Sequence, residues 1–244
     1  MSYFKLIKID ATDSTNTLMK ERYLSNKSMD GDVLYASTQL KGRGQLESVW
    51  NSEPGKNLTF SVYKDINHLL IQNPFLLSCV VSLAIKTLLE SFNIPNVYVK
   101  WPNDIMSGNK KICGLLIENI LKGSSINSSI IGIGLNVNQF SFEKLPNAIS
   151  MNQISGINYD LNEVLDSCLN FLNQKLNLLD KSEQYIINLY EKSLYRINKP
   201  STFEVEGKIF LGIIRGVSSS GLLKVQLDDQ KISLFDLKSI KLKN

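Results

Sequence analysis

Lys100-Trp101-Pro102-Asn103-Asp104-Ile105-Met106-Ser107-Gly108-Asn109-Lys110-Lys111-Ile112-Cys113-Gly114-Leu115-Leu116-Ile117-Glu118 is the stretch on which the fold turns. Val97 to Lys100 enters it as a short strand, and Lys111 to Leu121 leaves it as a long one, rich in residues that suit a pleated surface. Ser107-Gly108-Asn109 between them is turn composition. The chain therefore doubles back on itself as a hairpin. A third strand follows from Ser128 to Val137, after the hydrophilic turn Gly123-Ser124-Ser125-Ile126-Asn127.

Working outward, the chain alternates strands and helices. Tyr3 to Asp10 reads as a strand. Asp13 and Ser14 offer helix caps to a segment ending near Leu24. Val33 to Thr38 and Asn57 to Tyr63 read as strands. Asn73-Pro74 opens a helix to about Phe92 whose apolar residues almost encircle it, which predicts a buried central helix. Leu161 to Leu179 and Glu183 to Tyr195 read as further helices. After Pro200 the texture changes to short alternating strands: Phe203 to Gly207, Lys208 to Val217, Leu222 to Leu227 and Lys231 to Phe235. Their length and spacing predict a small closed or half-closed β-barrel. The expected division is a main domain over 1–197 and a small barrel over 198–244.

Composition narrows the function. The 244 residues can bury a substantial core. Twenty-seven basic and 23 acidic residues leave a net charge of +4, spread along the chain. That is too mild and too dispersed for a nucleic-acid binder. No apolar run reaches the length of a membrane span, and the N-terminus lacks the pattern of a signal peptide. Three widely separated cysteines form neither a disulfide framework nor a metal pair, which predicts a reducing, cytoplasmic setting. A single histidine argues against a His-dependent triad or multi-histidine metal site.

Five segments can carry chemistry, and each has a plainer reading. In Lys41-Gly42-Arg43-Gly44-Gln45 the glycines let backbone N–H groups approach an anion, and the arginine can grip a carboxylate or phosphate. A solvated surface loop explains the same residues. Asn103 and Asp104, behind the stiff Trp101-Pro102 step, offer oxygen ligands suited to magnesium, or form a simple turn. Lys111, at the head of an apolar strand, can aim an ammonium into a site, or face solvent in a hairpin. Ser14, Thr15 and Asn16 can bind a polar ligand head, or cap a helix. Gly132 and Gly134 inside one strand signal close approach by a ligand or another backbone.

In this order and spacing the segments resemble the biotin protein ligase family, over nearly the whole chain. Asp13-Ser14-Thr15-Asn16, Thr38-Gln39 through Trp50, Lys100 to Asp104, Lys111 to Glu118 and Gly132 to Asn138 correspond to its motifs. The tail resembles its small barrel of the Src-homology type. The resemblance implies an α+β fold: a mixed, largely antiparallel sheet with packed helices, like the catalytic fold of class II synthetases, plus a small C-terminal β-barrel. It implies ATP-dependent activation of biotin as biotinyl-5′-adenylate, with magnesium, then transfer to one lysine of a biotin carboxyl-carrier protein or domain. By motif position, Ser14, Thr15, Asn16 and Gln39 hold the ureido head of biotin. Gly42, Arg43 and Gly44 lie along its carboxylate and the adenylate phosphate, with Gln45 beside biotin; Lys111 is the main catalytic cation, Arg43 also serves catalysis and adenylate binding, and Gly114 leaves space. Trp50 packs on adenine, Asn103 and Asn136 contact the nucleotide, and Asp104 serves magnesium or the incoming lysine. Where many members carry further arginines and a glycine in the loop, this chain has Gln45, Leu46, Glu47, Ser48 and Val49, which shifts phosphate load to Arg43 and Lys111.

The motifs begin at Asp13, so the expectation is a form without the DNA-binding helix-turn-helix of many bacterial relatives, acting as a monomer or weak homodimer. Two other readings stay open: a lipoate or octanoate ligase or transferase of the same fold, and a catalytically impaired biotin-binding homologue.

Overall fold

The computed structural model describes residues 3–46, 48–69, 71–123, 125–142 and 145–243. In chain order the elements are β1 (Lys5–Thr12), α1 (Thr15–Leu24), β2 (Asp32–Gln39), β3 (Leu58–Asp65), α2 (Phe75–Ser91), β4 (Val97–Lys100), β5 (Asp104–Ser107), β6 (Lys110–Lys122) and β7 (Ser125–Leu135). There follow α3 (Met151–Ser155), α4 (Leu161–Leu176), α5 (Glu183–Glu191), β8 (Pro200–Val205), β9 (Lys208–Val217), β10 (Leu223–Gln226), β11 (Ile232–Phe235) and β12 (Lys241–Lys243).

Seven strands form one sheet in the order β1-β2-β3-β7-β6-β5-β4. Only β1 and β2 pair in parallel; every other named pair is antiparallel. The expected mixed, largely antiparallel sheet is therefore present. Its two faces differ because side chains alternate along each strand. Val33, Leu58, Phe60, Val62, Leu115, Ile131, Ile133 and Leu135 join the main core. That core is completed by α2, which packs on α4 and α5. Helix α2 buries eleven of its residues, Leu77, Ile85, Leu88 and Leu89 completely, as its all-round apolar pattern predicts.

The opposite face is only partly covered. Met19 of α1 packs on Leu34, Tyr63 and Ile130 in a small separate cluster. Helix α1 thus roofs one end of this face. Beyond its N-terminus the face carries Ser61, Gly132 and Gly134 and stays open as a cleft.

The last strands form a second, five-stranded antiparallel sheet in the order β11-β10-β9-β8-β12. Of the closed or half-closed barrel expected, the closed form is excluded. β11 and β12, of four and three residues, lie at opposite edges and do not pair with each other among the described residues, so the sheet is not closed. Instead of enclosing a core of its own, it lends Phe203, Ile214, Val217, Leu223, Val225 and Ile240 to the main one. Trp101 ties the two sheets together: its indole N–H donates to the Gly221 carbonyl at 2.8 Å. Residues 193–195, expected to extend α5, leave the helix because their backbone pairs with β4. The Val99 N–H donates to the Ser193 carbonyl, and the Tyr195 N–H to the Val99 carbonyl, each at 2.8 Å.

Truncation at the centre of this arrangement should be costly. Leu77→Ala, at a fully buried position of α2, should lower unfolding free energy by about 2–5 kcal/mol in urea titration; a loss below about 1 kcal/mol would show that α2 is not the core helix.

Candidate active site

The open cleft exists because three glycines thin its floor. Gly114 of β6 pairs with Gly134 of β7, and Leu116 with Gly132. A Cβ at Gly134 would lie 2.7 Å from Cζ2 of Trp50, and one at Gly132 would lie 2.9 Å from Cγ of Asn16. At Gly114 it would lie 3.0 Å from the Trp50 ring and 3.1 Å from Lys111 Nζ. These glycines therefore admit Trp50, Asn16 and Lys111 close to the sheet, where any larger residue would force them away.

One end of the cleft is polar and tightly hydrogen-bonded. Ser14, Thr15 and Asn16 sit at the start of α1, each 3% exposed. Ser14 occupies the N-cap position, but its hydroxyl makes no capping bond. The N–H and hydroxyl of Thr15 donate to Oε1 of Gln39 at 2.8 and 3.1 Å. The Ser61 hydroxyl, from β3, lies 2.6 Å from Asn16 Oδ1 and 2.8 Å from Thr15 Oγ1. The Asn16 amide donates to the Leu116 carbonyl at 3.1 Å and to Glu118 Oε2 at 2.8 Å. Small neutral donors and acceptors of this kind suit an uncharged polar ligand head.

Residues 42–46 and 48–50 face each other in a narrow pairing along the cleft. The Gly44 N–H donates to the Ser48 carbonyl at 2.7 Å, and the Trp50 N–H to the Gly42 carbonyl at 2.9 Å. A side chain at Gly42 would run into the Trp50 carbonyl, so Gly42 serves this close approach and does not line the cleft. The backbone N–H groups of Arg43 and Gln45 donate to no partner among the described residues, and both residues line the cavity. The Arg43 guanidinium is engaged within the protein. It pairs with Glu118, Nη2 to Oε1 at 3.1 Å, and donates to Thr17 Oγ1 at 3.2 Å. Glu47, where the sequence places an anion, lies outside the described residues.

Lys111 occupies the wall between two cavities. Strands β5 and β6 pair Ile105 with Cys113 but Met106 with Lys111, so β6 holds one extra residue there. This bulge turns the Lys111 side chain to the Asp104 side while Ile112 and Cys113 stay in the core. The Lys111 ammonium meets Asp104 Oδ1 at 2.6 Å and lies 5.6 Å from the centre of the Trp50 ring. Its backbone is held on both sides, by the Asn147 carbonyl at 2.7 Å and the Ile149 N–H at 2.9 Å.

The first cavity, about 220 Å³, is the cleft itself, running from Ser14, Thr15 and Asn16 past Gln39, Arg43, Gly44 and Gln45 to Trp50, Asn103, Asp104, Lys111 and Gly114. The second, about 230 Å³, lies beyond Trp50 and Lys111, with Phe142, Leu145, Pro146 and Ala148 as apolar walls and Asn136 at its base. Val49, Trp50 and Lys111 line both. Asn136 is 3% exposed, its amide donating to the Ile149 carbonyl at 3.0 Å. The Trp50 indole N–H and the Gln45 side-chain oxygen are buried without partners among the described residues, leaving one donor and one acceptor for a ligand.

The expected site residues thus gather around two joined cavities, apart from Gly42, which shapes the loop. Gly132 and Gly134, which had signalled a close approach without a stated role, also line the cleft, as do Ser48 and Leu237. The paired glycines of β7 were the available signal. Leu237 arrives from the turn between β11 and β12, and no local pattern reveals this. Cys113 is fully buried, and burial holds its thiol well above the ordinary range, consistent with packing rather than nucleophilic use. The described residues contain no cluster of three or more histidine, cysteine or acidic groups able to hold a metal by themselves.

The chain is similar to several known proteins. Residues 9–136 match the family model described as the biotin/lipoate A/B protein ligase family. The bifunctional ligase/repressor BirA of Escherichia coli is 29% identical over 224 residues, 88% of this chain and 67% of that protein. Its namesake in Bacillus spizizenii is 32% identical over 168 residues. That alignment spans 67% of this chain but only about half, 51%, of the relative. Among solved structures, the biotin protein ligase of Aquifex aeolicus in complex with biotin and ATP superposes with a TM-score of 0.82 at 28% identity, covering 98% of this chain and 99% of that one.

The glycine floor makes a direct prediction. Gly134→Ala, introduced together with Trp101→Phe so that Trp50 is the sole tryptophan and can be excited selectively, should displace the Trp50 ring and shift its emission towards longer wavelength. An unchanged spectrum would show that Trp50 does not rest on Gly134.

Proposed function

The chain belongs to the biotin/lipoate A/B protein ligase family, and from that premise we propose that it is an ATP-dependent biotin–protein ligase. It activates biotin as biotinyl-5′-adenylate and passes the biotinyl group to a lysine of a carboxyl-carrier protein. The observation that carries this reading is the position of Lys111, whose ammonium lies in the wall shared by a polar-ended cleft and an apolar cavity. The reaction requires such a junction, because it brings a carboxylate onto a phosphate and must offset the charge between them. The relatives above point to biotin rather than lipoate as cargo.

In this reading biotin lies in the first cavity. Its ureido head meets Ser14, Thr15, Asn16 and Gln39, and its chain crosses the floor of Gly114 and Gly134. Its carboxylate reaches the open N–H groups of Arg43 and Gln45. Adenine enters the second cavity against Trp50 and the apolar walls, near Asn136. In the first step a biotin carboxylate oxygen attacks the α-phosphorus as the bond to pyrophosphate breaks. Lys111 offsets the growing phosphate charge. In the second, the acceptor ε-amine attacks the anhydride carbonyl and AMP leaves. Asp104, beside Lys111, is placed to take the proton that the amine sheds.

Magnesium fits as a partner of the nucleotide. Asp104 is the acidic residue lining the first cavity among the described residues, and one carboxylate plus substrate phosphates is an ordinary magnesium environment. When bound, the ion offsets phosphate charge. The three described cysteines are free and buried, which suits a reducing, cytoplasmic setting. No described helix is long and apolar enough to cross a membrane.

Incubation with ATP, magnesium, biotin and a carrier domain should add one biotinyl mass to that domain. Addition only from lipoic acid would make the protein a lipoate ligase. Biotin binding without pyrophosphate release would make it a binding homologue. Lys111→Ala should lower pyrophosphate release by roughly 10²–10³-fold while leaving the circular dichroism spectrum unchanged; wild-type turnover in that variant would remove Lys111 from its role.

A further inference from the structure

Glu118 has no part in the chemistry derived so far, yet it sits at the crossing of three elements. Its carboxylate accepts from Asn16 Nδ2 at 2.8 Å through Oε2 and from Arg43 Nη2 at 3.1 Å through Oε1. Asn16 belongs to the polar end of the cleft, at the start of α1, and Arg43 to the loop along its side. Arg43 Nη1 also donates to Thr17 Oγ1 at 3.2 Å, so the guanidinium bridges β6 and α1. Glu118 itself alternates with Gly114 and Leu116 along β6, and so projects from the same face as the glycine floor.

We infer that Glu118 is a positioning residue for the reaction proposed above: by holding the Arg43 side chain, it aims the loop's free backbone N–H groups at the cleft. The physical reason lies in how the loop is anchored. Its internal bonds, Gly44 to Ser48 and Trp50 to Gly42, fix its shape but not its placement on the sheet. On the flank nearest α1, the described side-chain bonds from residues 42–46 to the sheet are those between Arg43 and Glu118. Both partners are partly exposed, at 46% and 24% of their side chains, so the pair adds little to global stability. Its effect is local: it sets where the Arg43 and Gln45 N–H groups point. Because the same carboxylate holds Asn16, the loop and the ligand-head end are located by one group. A carboxylate is required, since Arg43 and Asn16 both donate and two acceptor oxygens serve them at once. This inference rests on the ligase reading.

The test is steady-state pyrophosphate release, with biotin and ATP varied separately, in wild type, Glu118→Gln, Arg43→Gln and the double variant. Glutamine keeps the size but offers one acceptor oxygen in place of two. Glu118→Gln should raise the biotin KM about tenfold, the low end for losing a hydrogen bond to a charged group. Its kcat should stay within about threefold of wild type, because the reacting atoms are untouched. The double variant should be no worse in biotin KM than the poorer single one, since both changes open the same contact. A wild-type biotin KM in Glu118→Gln would overturn the inference, as would single effects that multiply in the double variant. Should Glu118→Gln prove unstable, Glu118→Asp, which keeps the charge but withdraws it by one methylene, is held to the same KM criterion. Wild type that releases no pyrophosphate removes the ligase reading itself. Competent wild type with an unaffected Glu118 variant removes only the positioning role.

Discussion

Three glycines on one face of the sheet are the constraint on which the rest depends. Gly114, Gly132 and Gly134 leave that face of β6 and β7 bare on either side of Leu116. On a sheet, bare backbone normally weakens the structure. Here the opposite face compensates, because the main core packs against it without interruption. The bare floor sets the depth of the cleft, and Trp50, Asn16 and Lys111 come to rest on it. Polar groups with buried, unpartnered atoms, such as Trp50 Nε1 and Gln45 Oε1, gather in the same place. A protein organised for stability alone would fill that space.

Charge is distributed with similar economy. Each of the two site cations has an acidic partner on the sheet, Lys111 with Asp104 and Arg43 with Glu118. The pairs differ in where they point. Lys111 lies in the wall between two cavities, near an aromatic ring, where an incoming anion can compete for it. Arg43 faces α1 and Thr17, away from that wall. The guanidinium is thus held by α1 and β6, while the loop's Arg43 and Gln45 line the cleft. The second sheet contributes Leu237 to the same cavity, and Trp101 couples it to the main sheet through Gly221.

Much of this was legible in the sequence, and what was not has identifiable physical reasons. The all-apolar α2 and the long β6 and β7 announced themselves by pattern, and α1 by the cap-type residues Asp13 and Ser14, although the Ser14 hydroxyl makes no capping bond. β5 was hidden because it is four residues long and follows Pro102-Asn103, whose composition speaks for a turn. α3 is five residues long, yet its capping box, Ser150 with Gln153, and its left-handed Gly156 were readable signals. The expected barrel became an open sheet because its apolar residues are used by the main core. The bulge that turns Lys111 is set by pairing across strands, and the contacts of Glu118 span 75 residues to Arg43 and 102 to Asn16. Such relations exist only once the sheet is assembled. Motif order brought the site residues together on paper; it could not tell which face Arg43 would choose.

The central claim is that two cavities meet at Lys111 and that one ligand spans both. A crystal structure with a non-hydrolysable biotinyl-adenylate analogue tests it most directly. The account predicts the ureido ring beside Thr15 and Asn16, adenine in the cavity floored by Asn136, and the linking phosphate group within hydrogen-bond reach of Lys111 Nζ. An analogue bound elsewhere, or lying wholly on one side of Trp50 with Lys111 still paired only to Asp104, would contradict it.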